Sequence, residues 1–262
     1  YLRGMFAIAL WDDVKQRGIL VRDTIGIKPL FYKVLTNGEL IFASEAKSIL
    51  AREERMQGDL DENAMHLLMN FRYLPGDLSL FKDVRQLAPG TIAQWTANKP
   101  LQSNHFEFRN RANQLSIIEE LEDSCRLHMT ADVEVGSYLS GGIDSACVTS
   151  LAARHASKKF RTYTLKVGDD PSEANNATRS AEILGLENIQ GDVSHDMENQ
   201  LLKLVWHLEV PKINALQISF LAKLASQKNK VVLSGLGGDE LFLGYNAHKI
   251  MQQVGKLDGF LP

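Results

Sequence analysis

Cysteine is scarce in this chain: Cys125 and Cys147 are the only two among 262 residues. Each sits in a helix-like pattern, without C-x-x-C spacing or a regular framework, which argues against a disulfide-stapled secreted domain. Both are expected to be buried structural thiols in a reducing, cytoplasmic setting. Long hydrophobic runs are missing too. No stretch approaches the roughly 18 apolar residues of a membrane-spanning helix, and no basic-then-apolar leader opens the chain, so a soluble protein is expected. Neither charge sign forms a block: 29 basic residues are set against 32 acidic ones. That balance speaks against a nucleic-acid footprint or a polybasic membrane anchor and points to small-molecule partners. The seven histidines form no H-E-x-x-H or Cys/His cluster, which leaves no zinc site. Internal repeats and low-complexity tracts are absent.

What is present divides into two textures. Single cores stop growing near roughly 250 to 300 residues, so two domains are expected. Residues 6–11, 18–21, 30–34 and 40–43 are short apolar runs bounded by turn signals and predict strands, with Asn37-Gly38 as a hairpin turn. Ser44 is the expected N-cap of a short helix carrying Lys47 on its surface. Residues 61–71 predict a helix with Ala64, Leu67, Leu68 and Phe71 on one face. Pro75-Gly76 and Pro89-Gly90 punctuate an inter-domain connection. The boundary is placed between residues 100 and 114, giving domains 1–108 and 109–262.

Beyond residue 116 helices alternate with apolar strands, the pattern of a parallel α/β sheet. Strands are expected at 136–139, 160–167 and 231–233, with helices at 145–156, 174–184, 197–207 and 216–227. Ile117, Ile118, Leu121, Cys125 and His128 are assigned to one face of an earlier helix. The three tryptophans, Trp11, Trp95 and Trp206, lie in apolar runs and are expected to pack. Arg22-Asp23 is expected to be a structural ion pair and Lys230 a solvated residue.

Ser140-Gly141-Gly142-Ile143-Asp144-Ser145 falls between a predicted strand and a predicted helix. Backbone amides there favour an anion. Glycines without Cβ atoms let the backbone approach a pyrophosphate, while the Ser140 and Ser145 hydroxyls can add donors. Asp144 would repel a polyphosphate unless a hard cation such as Mg2+ bridges the two. The plainer alternative is a Gly-Gly turn capped by Ser145. A second glycine-rich segment, Ser234-Gly235-Leu236-Gly237-Gly238-Asp239-Glu240-Leu241-Phe242-Leu243-Gly244-Tyr245, also follows a predicted strand. Ligands gather at the carboxyl ends of parallel strands, so the two loops can serve one site, with Asp239 as a second carboxylate for the cation.

These residues carry a family resemblance. The first loop resembles the pyrophosphate motif of N-type ATP pyrophosphatases, and the second resembles a signature of the glutamine-hydrolysing asparagine synthetases. Val21-Arg22-Asp23-Thr24-Ile25-Gly26-Ile27-Lys28-Pro29-Leu30 and Ala43-Ser44-Glu45-Ala46-Lys47 are similar to the later part of that family's glutaminase domain. The resemblance implies a β-rich N-terminal-nucleophile hydrolase-like segment followed by an α/β parallel-sheet ATP pyrophosphatase domain. It implies an AMP-forming amidotransferase: ATP adenylates a carboxylate, aspartate by default, and glutamine-derived ammonia displaces AMP. By position, Tyr138, Leu139, Ser140, Val167, Ser234 and Gly235 match family positions that contact ATP, joined by Gly141, Gly142, Asp144 and Ser145 of the loop. Asp144 and Asp239 match those that hold Mg2+. Partners are then small molecules, with neither nucleic acid nor membrane, and a homodimer is left open.

The chain departs from the pattern at Leu236, where the family commonly has a glutamate implicated in the ammonia-dependent step. Glu134 stands where proline is usual, and Glu209-Val210-Pro211 only resembles an Asp-Glu-Pro segment. A pathway-specific amidotransferase or lactam-forming relative using another carboxylate therefore stays open, as does a nucleotide-binding pseudoenzyme; a tRNA-modifying pyrophosphatase is remote. The family's glutaminase nucleophile is an N-terminal cysteine that would precede Tyr1, and a pyrophosphate-binding lysine would follow Pro262. The chain is expected to be incomplete at both ends and inactive alone.

Overall fold

Alternating apolar residues and tight turns make the early chain a run of antiparallel strands. The computed structural model describes residues 2–52, 59–97, 99–106, 116–167, 172–193, 197–246, 248 and 250–251. β1 (Ala7–Asp12) and β2 (Arg17–Arg22) form a hairpin in the register Ala7↔Arg22 to Asp12↔Arg17. β3 (Phe31–Val34) and β4 (Leu40–Ala43) form another around Asn37-Gly38. Its turn is closed by Gly38 N–H on the Leu35 carbonyl at 2.9 Å, with Gly38 at φ 84°. Two helices follow, α1 (Ala46–Arg52) and α2 (Glu62–Phe71), then β5 (Arg85–Gln86), β6 (Thr91–Thr96) and β7 (Gln102–His105). The strands assemble as two sheets, ordered β1-β2-β6-β7 and β4-β3-β5.

Several expectations for this half are corrected. β6 and β7 were not foreseen: β6 follows Pro89-Gly90, and β7 is a polar, fully exposed edge strand without an apolar signal. Ser44 does not cap α1. The first two helical amides, of Ala46 and Lys47, donate to the Glu209 carboxylate at 2.8 and 2.6 Å. Lys47 is not a surface residue either: its ammonium lies 2.8 Å from Glu45, 3.1 Å from the Trp206 carbonyl and 5.4 Å above the Trp206 ring. Trp11 and Trp206 are half-exposed, and Phe71 points outward. Arg22 and Asp23 are both buried, but each spends its polar atoms on backbone. Arg22 donates to the Gly26, Lys28 and Leu87 carbonyls, and Asp23 accepts from the Phe6, Ile25, Ile27 and Lys28 amides.

Alternation of helix and strand sets the rest. α3 (Ile117–His128) opens with a capping box in which Ser116 and Glu119 exchange side-chain and backbone bonds. β8 (Val135–Tyr138), α4 (Ile143–Arg154), β9 (Arg161–Lys166), α5 (Ser172–Leu184) and β10 (Glu187–Asp192) follow. α6 (Met197–Leu208), α7 (Ala215–Ser226), β11 (Val231–Leu233) and the short α8 (Gly238–Phe242) complete the series. The strands form one parallel sheet in the order β10-β9-β8-β11, the mixed α/β arrangement expected. β10 was missed, its sequence Glu-Asn-Ile-Gln-Gly-Asp lacking a strand signature. Cys125 is buried in the α3–α4 core with Val135, Leu151 and Phe160, whereas Cys147 is exposed, contrary to expectation. Ile117 and Ile118 are also exposed.

The chain divides into two compact units, Tyr1–Ala112 with Leu202–Lys212, and Asn113–Leu201 with Ile213–Pro262. The expected cut at 108/109 lies outside the described residues. Leu202–Lys212 had been read as part of the later domain; Val210 packs with Ala64, Leu68 and Leu80 of the first unit. Among the described residues no helix is long and apolar enough to cross a membrane.

Candidate nucleotide site

β8 and β11 are hydrogen-bonded neighbours, paired from Val135↔Val231 to Ser137↔Leu233. Both run the same way, so the segments leaving their carboxyl ends open side by side. These are the two glycine-rich loops.

The first loop is held from below and within. Leu139 N–H donates to the Tyr163 carbonyl at 2.9 Å, and the Thr164 hydroxyl donates to the Leu139 carbonyl at 2.7 Å. The Ser145 hydroxyl donates to the Gly142 carbonyl at 3.0 Å and accepts the Ser140 N–H at 3.2 Å. Ser145 is therefore an internal strut of the loop, not the spare donor or the cap the sequence suggested. The N-cap of α4 is Gly142, and no side chain caps the helix. Its first-turn amides have no intrahelical acceptor, so the helix start offers donors and positive potential to an anion. Gly141 lies at φ 79°, and a Cβ there would come 2.5 Å from the Glu173 carbonyl of α5.

The second loop closes on the first. A Cβ on Gly235 would stand 2.6 Å from Ser145 N and 2.8 Å from the Asp144 carbonyl carbon, so only a residue without a side chain fits. The Asp144 carboxyl lies against the Cα of Gly238, and that of Asp239 against the Cα of Gly244. Leu236 N–H donates to the Ser234 hydroxyl at 3.2 Å, leaving the Leu236 side chain 79% exposed.

Together the loops border a cavity of about 500 Å³ within the second unit. Of the site residues expected from sequence, Tyr138, Leu139, Ser140, Gly142, Asp144, Ser145, Val167, Ser234, Gly235 and Asp239 line it; Gly141 alone does not. Burial pushes the Tyr138 phenol up. Glu173 of α5, Gln217, Ile218 and Leu221 of α7, and Glu240 and Tyr245 also line the cavity and had been given no role. For the residues of α5 and α7 the signal was topological, because both helices pack on the same sheet, a relation that spacing along one chain does not express; Glu240 and Tyr245 stand in the second loop segment itself. The Tyr245 hydroxyl donates to Glu240 at 2.6 Å, which holds the Glu240 carboxyl below its usual range and pushes the phenol up.

Four carboxylates line the cavity, from Asp144, Glu173, Asp239 and Glu240, and among the described residues no Lys, Arg or His does. Loop amides and an open helix start suit phosphate oxygens, but four acids do not, unless a hard divalent cation enters with the phosphates. Among the described residues no group of three or more His, Cys, Asp or Glu side chains forms a metal site. Mg2+ binds through one or two carboxylates and completes its shell with phosphate and water. Asp144 and Asp239 could supply the carboxylates.

Residues 116–258 match the protein-family model for asparagine synthase, and residues 1–106 match that for a glutamine amidotransferase domain. The chain is 36% identical over 263 residues to asparagine synthetase [glutamine-hydrolyzing] 1 of Bacillus subtilis, covering 95% of this chain and 40% of that protein. It is 29% identical over 280 residues to the amidase chyE of Penicillium rubens, covering 95% and 41%. An NH3-dependent NAD synthetase from Campylobacter jejuni, solved with a nitrate ion, aligns over 49% of this chain and 59% of its own, with 23% identity and a TM-score of 0.35. The chain spans about two fifths of the length of these curated relatives.

Proposed function

Because the chain belongs to the asparagine synthase family, we propose that its second unit binds Mg-ATP in the cavity between the two loops and activates a carboxylate for amide formation. The observation that supports this most is the approach of Gly235 to the first turn of α4, which brings two motifs distant in sequence to one anion-binding helix start.

In this reading the adenosine lies along Tyr138, Leu139, Val167, Ser234 and Gly235, and the polyphosphate faces Ser140, Gly142 and the α4 amides. Asp144 and Asp239 would hold Mg2+, which when bound would supply positive charge to offset that of the phosphates and of departing pyrophosphate. Attack of the substrate carboxylate on the α-phosphorus yields an acyl-adenylate. Ammonia then adds at the acyl carbon, AMP leaves with the C–O bond electrons, and loss of a proton from nitrogen gives the amide. The loop amides act where charge develops on pyrophosphate and need no reorganisation to do so.

The first unit is read as the later part of an N-terminal-nucleophile glutaminase domain that supplies ammonia from glutamine. Glutamine-derived nitrogen, a cytoplasmic setting and small-molecule partners belong to this same reading. Aspartate is the default carboxylate. Leu236 favours a second product class, because its exposed side chain in the cavity cannot accept a proton or orient an amine. An amidotransferase for a less polar acid, or a lactam-forming enzyme, accommodates it.

The test is calorimetry of Mg-ATP with the chain. Tight binding in Mg2+, loss with excess EDTA, and at least about tenfold weaker binding in Asp144→Ala are expected, the scale of one charge-assisted contact. Unchanged affinity in Asp144→Ala would remove the assigned metal role. Carboxylate-dependent ATP–pyrophosphate exchange across a panel of acids then identifies the acyl substrate.

A further inference from the structure

A second cavity, of about 210 Å³, lies wholly within the first unit, between side chains of residues 31–86 and the returning segment Leu202–Lys212. That is the liquid volume of about seven waters at roughly 30 Å³ each. Phe31, Leu68, Leu80, Phe81 and Val210 supply apolar walls, and Tyr73, Ser79 and Gln86 add polar surface. Two cations also line it, Arg72 and Lys212. Arg72 is set there by the end of α2: it is the left-handed C-cap, at φ 62°, with its N–H on the Leu68 carbonyl at 2.7 Å. Among the described residues neither cationic side chain has a hydrogen-bond or ion-pair partner.

The acid on this wall is already committed. Both Glu209 oxygens accept α1 amides, and its Oε1 also lies 3.7 Å from the Lys47 ammonium. The cavity thus presents hydrocarbon and, at its solvent-exposed rim, two cations, while its one carboxylate is already engaged. An anion can take charge-assisted hydrogen bonds from the two cations, and an apolar body gains from leaving water. An amino acid is disfavoured, because its ammonium would enter beside two cations with no carboxylate to receive it.

We propose that this cavity binds a small carboxylate with an apolar body and no amino group, its anion held by Arg72 and Lys212 and its hydrocarbon set against Leu68, Leu80 and Phe81. The site is separate from the nucleotide cavity and does not depend on its assignment. Its walls come from stretches more than a hundred residues apart in sequence, so an occupant fastens the returning segment to the rest of the unit and stabilises that unit by mass action.

The probe is 3-phenylpropanoate, titrated into the chain by calorimetry, with phenylalanine and 3-phenylpropan-1-ol as matched controls carrying an added ammonium or lacking the anion. One site per chain is expected, with both controls at least about tenfold weaker, the scale of one lost charge-assisted contact. The Arg72→Gln/Lys212→Gln variant is expected to lose the same factor while keeping its urea midpoint, with Lys212→Gln alone showing part of the loss. Asp144→Ala is expected to bind the probe unchanged, which separates this outcome from any failure at the nucleotide site. No heat with the probe up to about 10 mM, beyond the weakest useful affinity, would overturn the proposal. So would equal binding of the alcohol, which marks an apolar void only, or undiminished binding in the double variant.

Discussion

Gly141 and Gly142 are neighbours in one motif and answer different demands. Gly141 holds φ 79° with the Glu173 carbonyl where a Cβ would go; Gly142 has the extended conformation of an N-cap, and a Cβ there meets only the Ser140 hydroxyl at 3.5 Å. Gly141→Ala should therefore destabilise the second unit by about 2 kcal/mol, while Gly142→Ala should stay within about 0.5 kcal/mol of the parent in urea denaturation. Equal losses would mean that the loop backbone is not strained as described. The motif was legible from residue order, but this division of labour was not. A left-handed glycine and a capping glycine are spelled alike, and the turning of the Ser145 hydroxyl into its own loop depends on dihedrals that spacing does not express. Exposure of Cys147 was hidden for a related reason: helical periodicity marks one face as apolar, yet a single small residue at its margin can fall on either side.

Among elements, α1 shows how far a local reading reaches. The sequence suggested its position but named the wrong cap, because the true one comes from Glu209, more than 160 residues later. Glu209 satisfies two orphan amides and faces Lys47, with side-chain exposures of 8% and 16%. Glu209→Ala should cost about 2 kcal/mol, combining a lost cap with an ion pair deprived of one partner. Hydrogen exchange should show the loss concentrated in the first turn of α1. The double variant Glu209→Ala/Lys47→Met should lose less than the sum of the single changes; strict additivity would deny that the two residues interact. Elements with a local signature were readable, as the Asn37-Gly38 hairpin and the Ser116 capping box illustrate. β7 and β10 were not, since a polar edge strand draws its order from the neighbour it pairs with, not from its own side chains.

Across the whole molecule, the charged side chains that are buried among the described residues belong to the first unit. Buried polar residues of the first unit include Arg22, Asp23 and Lys33, whereas those of the second, Ser137, Ser145, Thr149, Thr162, Thr164 and Asn229, are neutral. Burial pushes the Asp23 carboxyl up, but the amides of Lys28, Ile27, Phe6 and Gly26 outweigh it and leave the group below its ordinary value. A depressed carboxyl contributes stability that is complete above its unfolded pKa of roughly 3.9 and is lost as pH falls through the folded value. Stability of the first unit should therefore fall as pH drops below roughly 4, in a step that Asp23→Asn lacks. An unchanged acid profile in that variant's urea denaturation would contradict this. The pairing of β11 with β8 also bears on the order of assembly. Val231 pairs with Val135 across most of the second unit's sequence, a closure of long sequence separation of the kind that slows folding. The pocket between the loops exists only where β11 lies beside β8, so whatever it receives acts as a lock on that closed sheet.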